Sequence, residues 1–195
     1  MAIVDNLINW DLISQAIRHY GEKYSYIEVP WVVSRKSIQI TLPNDKYFSV
    51  PVSNKDFNLT ETGTEDGVLV GSAEQSFLEL ESRGLLSRGR YMACTPCFRN
   101  ELIKDNLHQK MFMKVELYSN IVSIDEYQLM TSMALDFFSR LSKSTSIIRY
   151  SNFEDIEIND VEVGSYGIRQ SGNLNWIFGT GIAEPRCSTA IRMNK

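Results

Sequence analysis

The stretch "TPCFRNE", residues 95–101, places an arginine and a glutamate at the end of an apolar run that predicts a buried strand. Alternate residues of a strand point to the same face, so Arg99 and Glu101 share one face while Phe98 and Asn100 share the other. An unpaired buried charge is costly. The two residues are therefore either a plain ion pair or a platform for a charged ligand.

The composition limits the classes of function. The chain has 195 residues, of which 43% are hydrophobic and 23% are charged, with a formal net charge of -4. These values are typical of a soluble globular protein, and we expect one domain, 1–195. The strongly basic surface typical of DNA binding is absent, whereas contact with a small part of an RNA stays open. No segment has the pattern of a signal peptide or of a membrane span, so we expect no membrane partner.

The three cysteines, Cys94, Cys97 and Cys187, do not form a disulfide framework, and we expect a reducing, cytoplasmic location. Cys94 and Cys97 make one C-x-x-C, but a structural zinc site normally needs a second pair of ligands. In a strand these two cysteines also face opposite sides. A zinc or redox role is one interpretation; small, partly buried apolar residues are the favoured one.

Apolar periodicity predicts the elements. Helical spacing predicts helices at 5–20, 73–87 and 123–142, and a last helix that runs to about residue 193. Strand-like runs lie at 24–29, 36–52, 67–71, 90–99, 111–119, 146–150, 156–163 and 174–178, with a turn at 43–45 and a polar loop at 53–66. The strands come in hairpin-like neighbours, with helices between the groups. The predicted fold class is α+β, with a mainly antiparallel sheet flanked by helices.

Charged side chains recur inside strand-like or glycine-rich segments. They are Glu74, Arg99, Glu101, Glu116, Glu162 and Arg186. Phe112 and Tyr118 share the face of Glu116 by strand parity. Arginine matches phosphate oxygens with two parallel hydrogen bonds, an aromatic ring can stack on a base, and carboxylates hold Mg²⁺, which in turn holds phosphates. This set of residue types indicates a nucleotide site.

Three segments, in order, resemble the three signature motifs of class II aminoacyl-tRNA synthetases. RHYGEKYSYIEVP, ending at Pro30, looks like the helix and strand of motif 1 at the dimer interface. FRNE (98–101) and HQKMFMKVE (108–116) look like the Phe-Arg-x-Glu, loop and His-x-x-x-Phe-x-x-x-Glu of motif 2. GTGIAEPR (179–186) looks like the Gly-x-Gly-x-Gly-x-x-Arg of motif 3, with Ala183 in place of the last glycine. Taken alone, a G-x-G before a helix is more often only a tight turn.

The resemblance covers nearly the whole chain and implies a reaction. It implies ATP and Mg²⁺ as cofactors, and formation of an aminoacyl-adenylate. Arg99 and Arg186 would be catalytic, with Arg99 on the α-phosphate, while Phe112 and the Arg186 guanidinium would stack on the two faces of adenine. The implied ATP-binding residues are Arg99, Glu101, His108, Phe112, Gly181 and Arg186. From its place beside a loop, His108 is explained equally well as an exposed residue.

Finer similarities point to the lysyl, seryl and pyrrolysyl types. A small-residue-x-Glu loop before a helix places Glu74 where these enzymes bind the substrate α-amino group. NDVEVGS (159–165) resembles the pyrrolysyl segment in which a glutamate and a serine hold Mg²⁺, here Glu162 and Ser165.

The same resemblance suggests a pocket for the amino-acid side chain. Glu116 and Tyr118 fall where the pyrrolysyl type lines this pocket, and a carboxylate there favours a polar or cationic substrate. In the alternative interpretation, Glu116 only pairs with an internal arginine such as Arg99 or Arg169.

The sequence also departs from the family. Only a short helix precedes motif 1 and the chain ends close to motif 3, so we expect a truncated, stand-alone core without an anticodon-binding domain. Leu107 replaces a usual basic residue, and Pro185 is unusual before the motif 3 arginine. Two functions follow. One is an enzyme that activates an amino acid and passes it to a tRNA acceptor end, a protein or a small molecule. The other is a non-catalytic, synthetase-like binding or regulatory protein.

We predict a homodimer. The motif 1 resemblance ends at Pro30, and Tyr24, Tyr26, Trp31 and Val32 around it supply an apolar surface that a second copy could cover. Light scattering at micromolar concentration should give twice the chain mass; a monomer mass would contradict the prediction.

Overall fold

The computed structural model describes residues 8–42, 49–52, 67–100 and 107–193. The predicted turn at 43–45, the polar loop at 53–66 and the candidate ATP-binding residue Glu101 lie outside these ranges.

Two sheets organise the described chain. The larger sheet has seven strands: β1 (Ser25–Tyr26), β5 (Arg90–Phe98), β6 (Met111–Ser119), β10 (Leu174–Glu184), β9 (Val161–Ser171), β8 (Phe153–Ile158) and β7 (Thr145–Arg149), in that spatial order. Every pair is antiparallel except β1 with β5. The smaller sheet joins β2 (Val32–Ser34), β4 (Gly67–Leu69) and β3 (Val50–Pro51). The predicted α+β class with a mainly antiparallel sheet is confirmed.

Five helices in the described ranges flank the sheets: α1 (Trp10–Tyr20), α2 (Arg35–Thr41), α3 (Ala73–Ser82), α4 (Ile124–Leu141) and α5 (Arg186–Arg192). Side-chain caps begin most of them; Ser123, for example, accepts a hydrogen bond from the backbone of Glu126 at the start of α4. None of these helices is long and apolar enough to cross a bilayer.

The two faces of the large sheet differ in their packing. On one face, α1, α4 and α5 cover the main apolar core, which contains Tyr20, Met130, Phe138 and Ile177. On the other face, α3 covers only one end of the sheet with a smaller core built around Phe77 and its neighbours. The rest of this second face carries the polar residues described below. We call it the cleft face.

The strand predicted at 36–52 is partly wrong, because residues Arg35–Thr41 form helix α2. Ile38 and Ile40 alternate as they would in a strand, but Ser34 caps a helix by accepting from the backbone of Ser37. Glu79 of α3 then accepts hydrogen bonds from both hydroxyls, each at 2.6 Å. A contact from a distant helix thus stabilises a helix that local periodicity did not indicate.

The structure also corrects two further predicted strands. The strand predicted at 156–163 is wrong, because β8 ends at Ile158 and β9 begins at Val161. Asn159 and Asp160 form the turn between them with φ of 54° and 62°, the left-handed region that asparagine and aspartate tolerate. The last strand is also longer than the predicted 174–178. It runs through Glu184, so the glycines of GTGIAEPR lie in a strand that bulges between Thr180 and Ile182.

Cys94 and Cys97 lie on opposite faces of β5, since their partners in β6 are Val115 and Phe112. Cys97 is fully buried on the cleft face, and Cys94 packs against the main core. Burial raises the pKa of both thiols to about 11. Both are therefore protonated and weakly nucleophilic at neutral pH.

We predict that Glu79→Gln lowers the free energy of unfolding by about 1–3 kcal/mol, because it removes a charged acceptor from two serine hydroxyls. Urea unfolding should measure the loss, with Glu22→Gln at an exposed site as the matched control.

The same variant should show a defined pH dependence. Burial raises the pKa of Glu79, but the hydrogen bonds from Ser34 and Ser37 and the charge of Arg83 outweigh it, and the net pKa is lowered. The stabilisation is then complete above the unfolded-state pKa and is lost as pH falls through the folded-state value. The difference between the wild type and Glu79→Gln should shrink below about pH 4. A pH-independent difference would contradict this origin.

Candidate functional site

Two adjoining cavities form one cleft on the cleft face. The first cavity is lined by residues that include Arg99, His108, Phe112, Val163, Pro185 and Arg186. The second is lined by residues that include Gly71, Ser72, Glu74, Ser165, Arg169 and Phe178. Arg99, Lys114, Glu162 and Thr180 line both cavities. These four residues therefore mark the junction at which groups bound in the two cavities would meet.

Strand register explains why these residues converge. In β6, Phe112, Lys114 and Glu116 occupy alternate positions, so they point to the same face. Thr180 of β10 lies directly opposite Glu116 and therefore shares that face. Arg99 follows β5, and its backbone N–H donates to the carbonyl of Lys110 at 2.9 Å, which keeps it beside Phe112.

Two arginines and one aromatic ring define the first cavity. The Arg99 guanidinium lies 5.0 Å from the centroid of the Phe112 ring, and its Nε donates to the Gly71 carbonyl at 3.2 Å. Arg186 begins α5, and its Nη1 lies 3.5 Å from Oε1 of Glu162. Nε of Arg186 also donates to the Leu107 carbonyl at 3.3 Å. Among the described residues, these contacts leave at least one Nη group of each guanidinium for an anionic ligand.

Four of the six candidate ATP-binding residues line the first cavity: Arg99, His108, Phe112 and Arg186. Glu101 lies outside the described residues. Gly181 packs instead towards the main core. A Cβ at this position would lie 3.0 Å from the Tyr20 ring and from Val115, and Tyr20 Oη donates to the Gly181 carbonyl at 3.0 Å. Its lack of a side chain lets α1 approach the sheet closely.

Glu74 lies in the second cavity and is 5% exposed. Nη1 of Arg169 donates to both of its carboxylate oxygens at 2.9 Å, and Nε1 of Trp176 donates to Oε1 at 2.7 Å. Burial raises the pKa of Glu74, while the Arg169 charge and the Trp176 hydrogen bond act in the opposite direction. The candidate amine-binding carboxylate is thus already charge-compensated.

Glu116 and Tyr118 are fully buried beneath the cleft. Glu116 pairs with Lys114 Nζ at 2.7 Å and accepts a hydrogen bond from the Ser72 hydroxyl. Tyr118 stacks on Phe77 with ring centroids 4.9 Å apart, and its hydroxyl donates to a carboxylate oxygen of Glu81. Neither residue lines the two cavities as the structure describes them.

The alternative interpretation of Glu116 named the wrong partner. Its internal cation is Lys114, two positions away on the same face of β6, and not Arg99 or Arg169. The segment FMKVE (112–116) contains the signal that sequence reasoning missed. Lys114 lies at the alternate position between Phe112 and Glu116, so its side chain shares their face. Arg169 was likewise considered only as a possible partner of Glu116. A charged residue inside a long strand is itself a candidate functional residue.

The candidate metal-binding residues lie in β9 beside β8. Glu162 and Ser165 both line the second cavity, and Ser165 hydrogen-bonds the Asp155 carboxylate opposite it. Burial raises the pKa of Asp155, and its Oδ1 is buried without a hydrogen-bond partner among the described residues. Carboxylate and hydroxyl oxygens are hard ligands of the kind Mg²⁺ prefers. The residue types therefore fit such an ion.

We predict that Lys114→Met destabilises the fold by about 3–5 kcal/mol, because it leaves the Glu116 carboxylate buried without its cation. The double variant Lys114→Met/Glu116→Gln should recover most of this loss in urea unfolding. Additive effects of the two substitutions would show that the pair does not interact.

Comparisons with known proteins agree with this architecture at the level of the fold. No family model matches the chain, and no curated protein is significantly similar to it in sequence. A structure of PylSc, a pyrrolysyl tRNA synthetase from Desulfitobacterium hafniense, matches with a TM-score of 0.65 at 12% identity and covers 89% of this chain and 64% of that chain. A crystal structure of pyrrolysyl-tRNA synthetase from the same organism has a TM-score of 0.63 at 12% identity and covers 95% of this chain and 67% of that one. The chain thus spans less than two thirds of the first protein, and its fold is similar to that of these pyrrolysyl-tRNA synthetases.

Proposed function

We propose that this chain binds ATP and an amino acid in the two adjoining cavities and joins them into an aminoacyl-adenylate. The observation that carries the proposal is the junction, where Arg99, Lys114, Glu162 and Thr180 line both cavities at once. A cleft with two arginines and an aromatic ring at one end and a buried carboxylate at the other matches a nucleotide beside an ammonium group.

In this proposal the first cavity holds ATP. Phe112 stacks on the adenine, the Arg186 guanidinium covers the other face, and Arg99 takes the α-phosphate. His108 lines the same cavity and offers a further contact. Glu162 and Ser165 would hold Mg²⁺, with Asp155 next to them. The chemistry that a bound Mg²⁺ supplies is neutralisation of the charge on the phosphate oxygens.

The second cavity holds the amino acid. Glu74 accepts three hydrogen bonds, whereas a carboxylate offers about four acceptor sites, so one site on Oε2 remains for an α-ammonium group. The amino-acid carboxylate then lies at the junction and attacks the α-phosphorus in line, and pyrophosphate leaves. The protein forms no covalent bond to substrate. Its contribution is positioning and stabilisation of charge by Arg99, Lys114 and Arg186.

The further fate of the adenylate belongs to the same proposal. The seryl, lysyl and pyrrolysyl resemblance supports transfer to a tRNA acceptor end, and a protein or a small molecule is the other candidate acceptor. We also propose a cytoplasmic homodimer.

A second candidate function is a non-catalytic, synthetase-like binding or regulatory protein. The pairing of both Glu74 oxygens with Arg169 favours it, because an incoming amine must share that carboxylate with a resident cation. Pyrophosphate exchange with each amino acid in turn separates the two candidates, since only the enzyme returns labelled pyrophosphate to ATP.

We predict a saturable ATP site in the presence of Mg²⁺. Arg186→Ala should weaken binding about tenfold or more, because charge-assisted hydrogen bonds are worth about 1.5–3 kcal/mol. Calorimetry measures the affinity, and Arg192→Ala, at the exposed end of the same helix, is the control. If millimolar ATP produces neither heat nor a thermal shift, the proposed function fails.

A further inference from the structure

Arg169 stands out because its side chain is fixed although it lines an open cavity. Its guanidinium carbon lies 3.9 Å from the centroid of the Phe178 ring, and its Nη1 chelates both oxygens of Glu74 at 2.9 Å. The Phe178 ring in turn needs Gly167, its partner in β9, because a Cβ there would lie 2.7 Å from Cε1 of the ring. The platform of Gly167, Phe178 and Glu74 therefore holds the guanidinium in one orientation.

Most of the hydrogen-bonding capacity of this guanidinium remains. Arginine has five N–H groups, of which Nη1 supplies two to Glu74. No residue in the described part of the chain accepts from Nε or Nη2, and the side chain is 39% exposed. The edge formed by Nε and Nη2 is a fork that binds a planar carboxylate through two parallel hydrogen bonds.

The position of Arg169 indicates which end of a substrate it contacts. It lines the second cavity and not the first, whereas Arg99 and Lys114 line both. If the reacting carboxylate lies at the junction, as the proposed function requires, Arg169 faces the other end of the amino acid. That end is the side chain.

Each carboxylate among the described residues that line the second cavity already has a cation beside it, Arg169 for Glu74 and Arg186 for Glu162, whereas Arg169 keeps free N–H donors. The lining of this cavity carries the cations Arg99, Lys114 and Arg169 against the carboxylates Glu74 and Glu162. Glu116, the carboxylate that suggested a cationic substrate, lies beneath the cavity and is paired with Lys114. A cationic side chain would therefore meet Arg169 without an uncompensated carboxylate beside it.

We propose that the second cavity selects an amino acid whose side chain ends in a carboxylate, and that Arg169 is the residue that determines this specificity. The inference rests on the proposed function for the role of the junction, but the charge of the cavity does not depend on catalysis. Binding and activation can therefore be measured separately.

The test begins with pyrophosphate exchange by the wild-type chain with L-aspartate, L-glutamate, L-asparagine, L-glutamine, L-lysine and L-leucine. Activation of an acidic amino acid is expected. Arg169→Gln should then raise its KM about tenfold or more with a smaller change in kcat, and Arg169→Lys should restore part of the loss because it keeps the charge. Activation of L-lysine, L-leucine or the amides alone would overturn the inference and leave the proposed function standing.

A binding measurement gives a second readout. Thermal shift and calorimetry with glutarate, a dicarboxylate without an amino group, should show binding that Arg169→Gln abolishes and that Arg140→Gln, at an exposed ion pair, leaves unchanged. Arg169-dependent glutarate binding without any exchange would support an anion-binding pocket and overturn the proposed reaction. If no acidic amino acid is activated and glutarate does not bind the wild type, the inference is wrong.

Discussion

Two buried carboxylates on the cleft face, Glu74 and Glu116, set the condition that the surrounding structure must meet. A carboxylate at this depth is tolerated only with a cation and further hydrogen bonds, because an unpaired buried charge costs several kcal/mol. Glu74 has Arg169 and Trp176, and Glu116 has Lys114 and Ser72. These partners come from the N-terminal cap of α3 and from three strands of the large sheet. The register of β6, β10 and β9 therefore cannot slip by one residue without separating charges from their partners.

The apolar core on the opposite face of the sheet offsets the free-energy cost of burying these charges. There α1, α4 and α5 bury a continuous apolar core, and small residues of β10 allow them to approach closely. Two neighbouring residues of β10 show how the two faces differ. Gly181 has no side chain and so accommodates Tyr20 on the core face, while Thr180 lines both cavities on the cleft face. One strand thus serves packing and the cleft with adjacent residues, as the two-residue period of a strand requires.

Charge compensation also decides which groups of the cleft are available to a ligand. Glu116 is neutralised beneath the surface, and Glu74 is shared with Arg169. Arg99 and Arg186 have weaker contacts: the first with the Gly71 carbonyl and the ring of Phe112, the second with the Leu107 carbonyl at 3.3 Å and with Glu162 at 3.5 Å. The cations therefore dominate what an incoming molecule meets. This excess of available donors suits a phosphate-bearing ligand in one cavity and a carboxylate in the other.

Several features follow from the sequence alone. The period of two predicted that Phe112 and Glu116 share a face and that Cys94 and Cys97 do not, and the sequence pattern predicted α4 and the two strands β5 and β6. The motif residues Arg99, Phe112 and Arg186 were recognised from their order in the chain, and all three line one cavity. These features are local because each depends on spacing within a segment or on one hairpin.

Other features depended on tertiary structure. Helix α2 depends on Glu79, which is 42 residues from Ser37, and the state of Glu74 depends on Arg169, 95 residues away. Local periodicity carries no information about such partners, because it does not reveal which side chains a sheet brings together. The sequence by itself determined strands such as β5 and β6, the faces of their residues and the candidate nucleotide residues. Only the tertiary structure decided which carboxylates are compensated, since a buried charge takes its partner from whatever element packs against it.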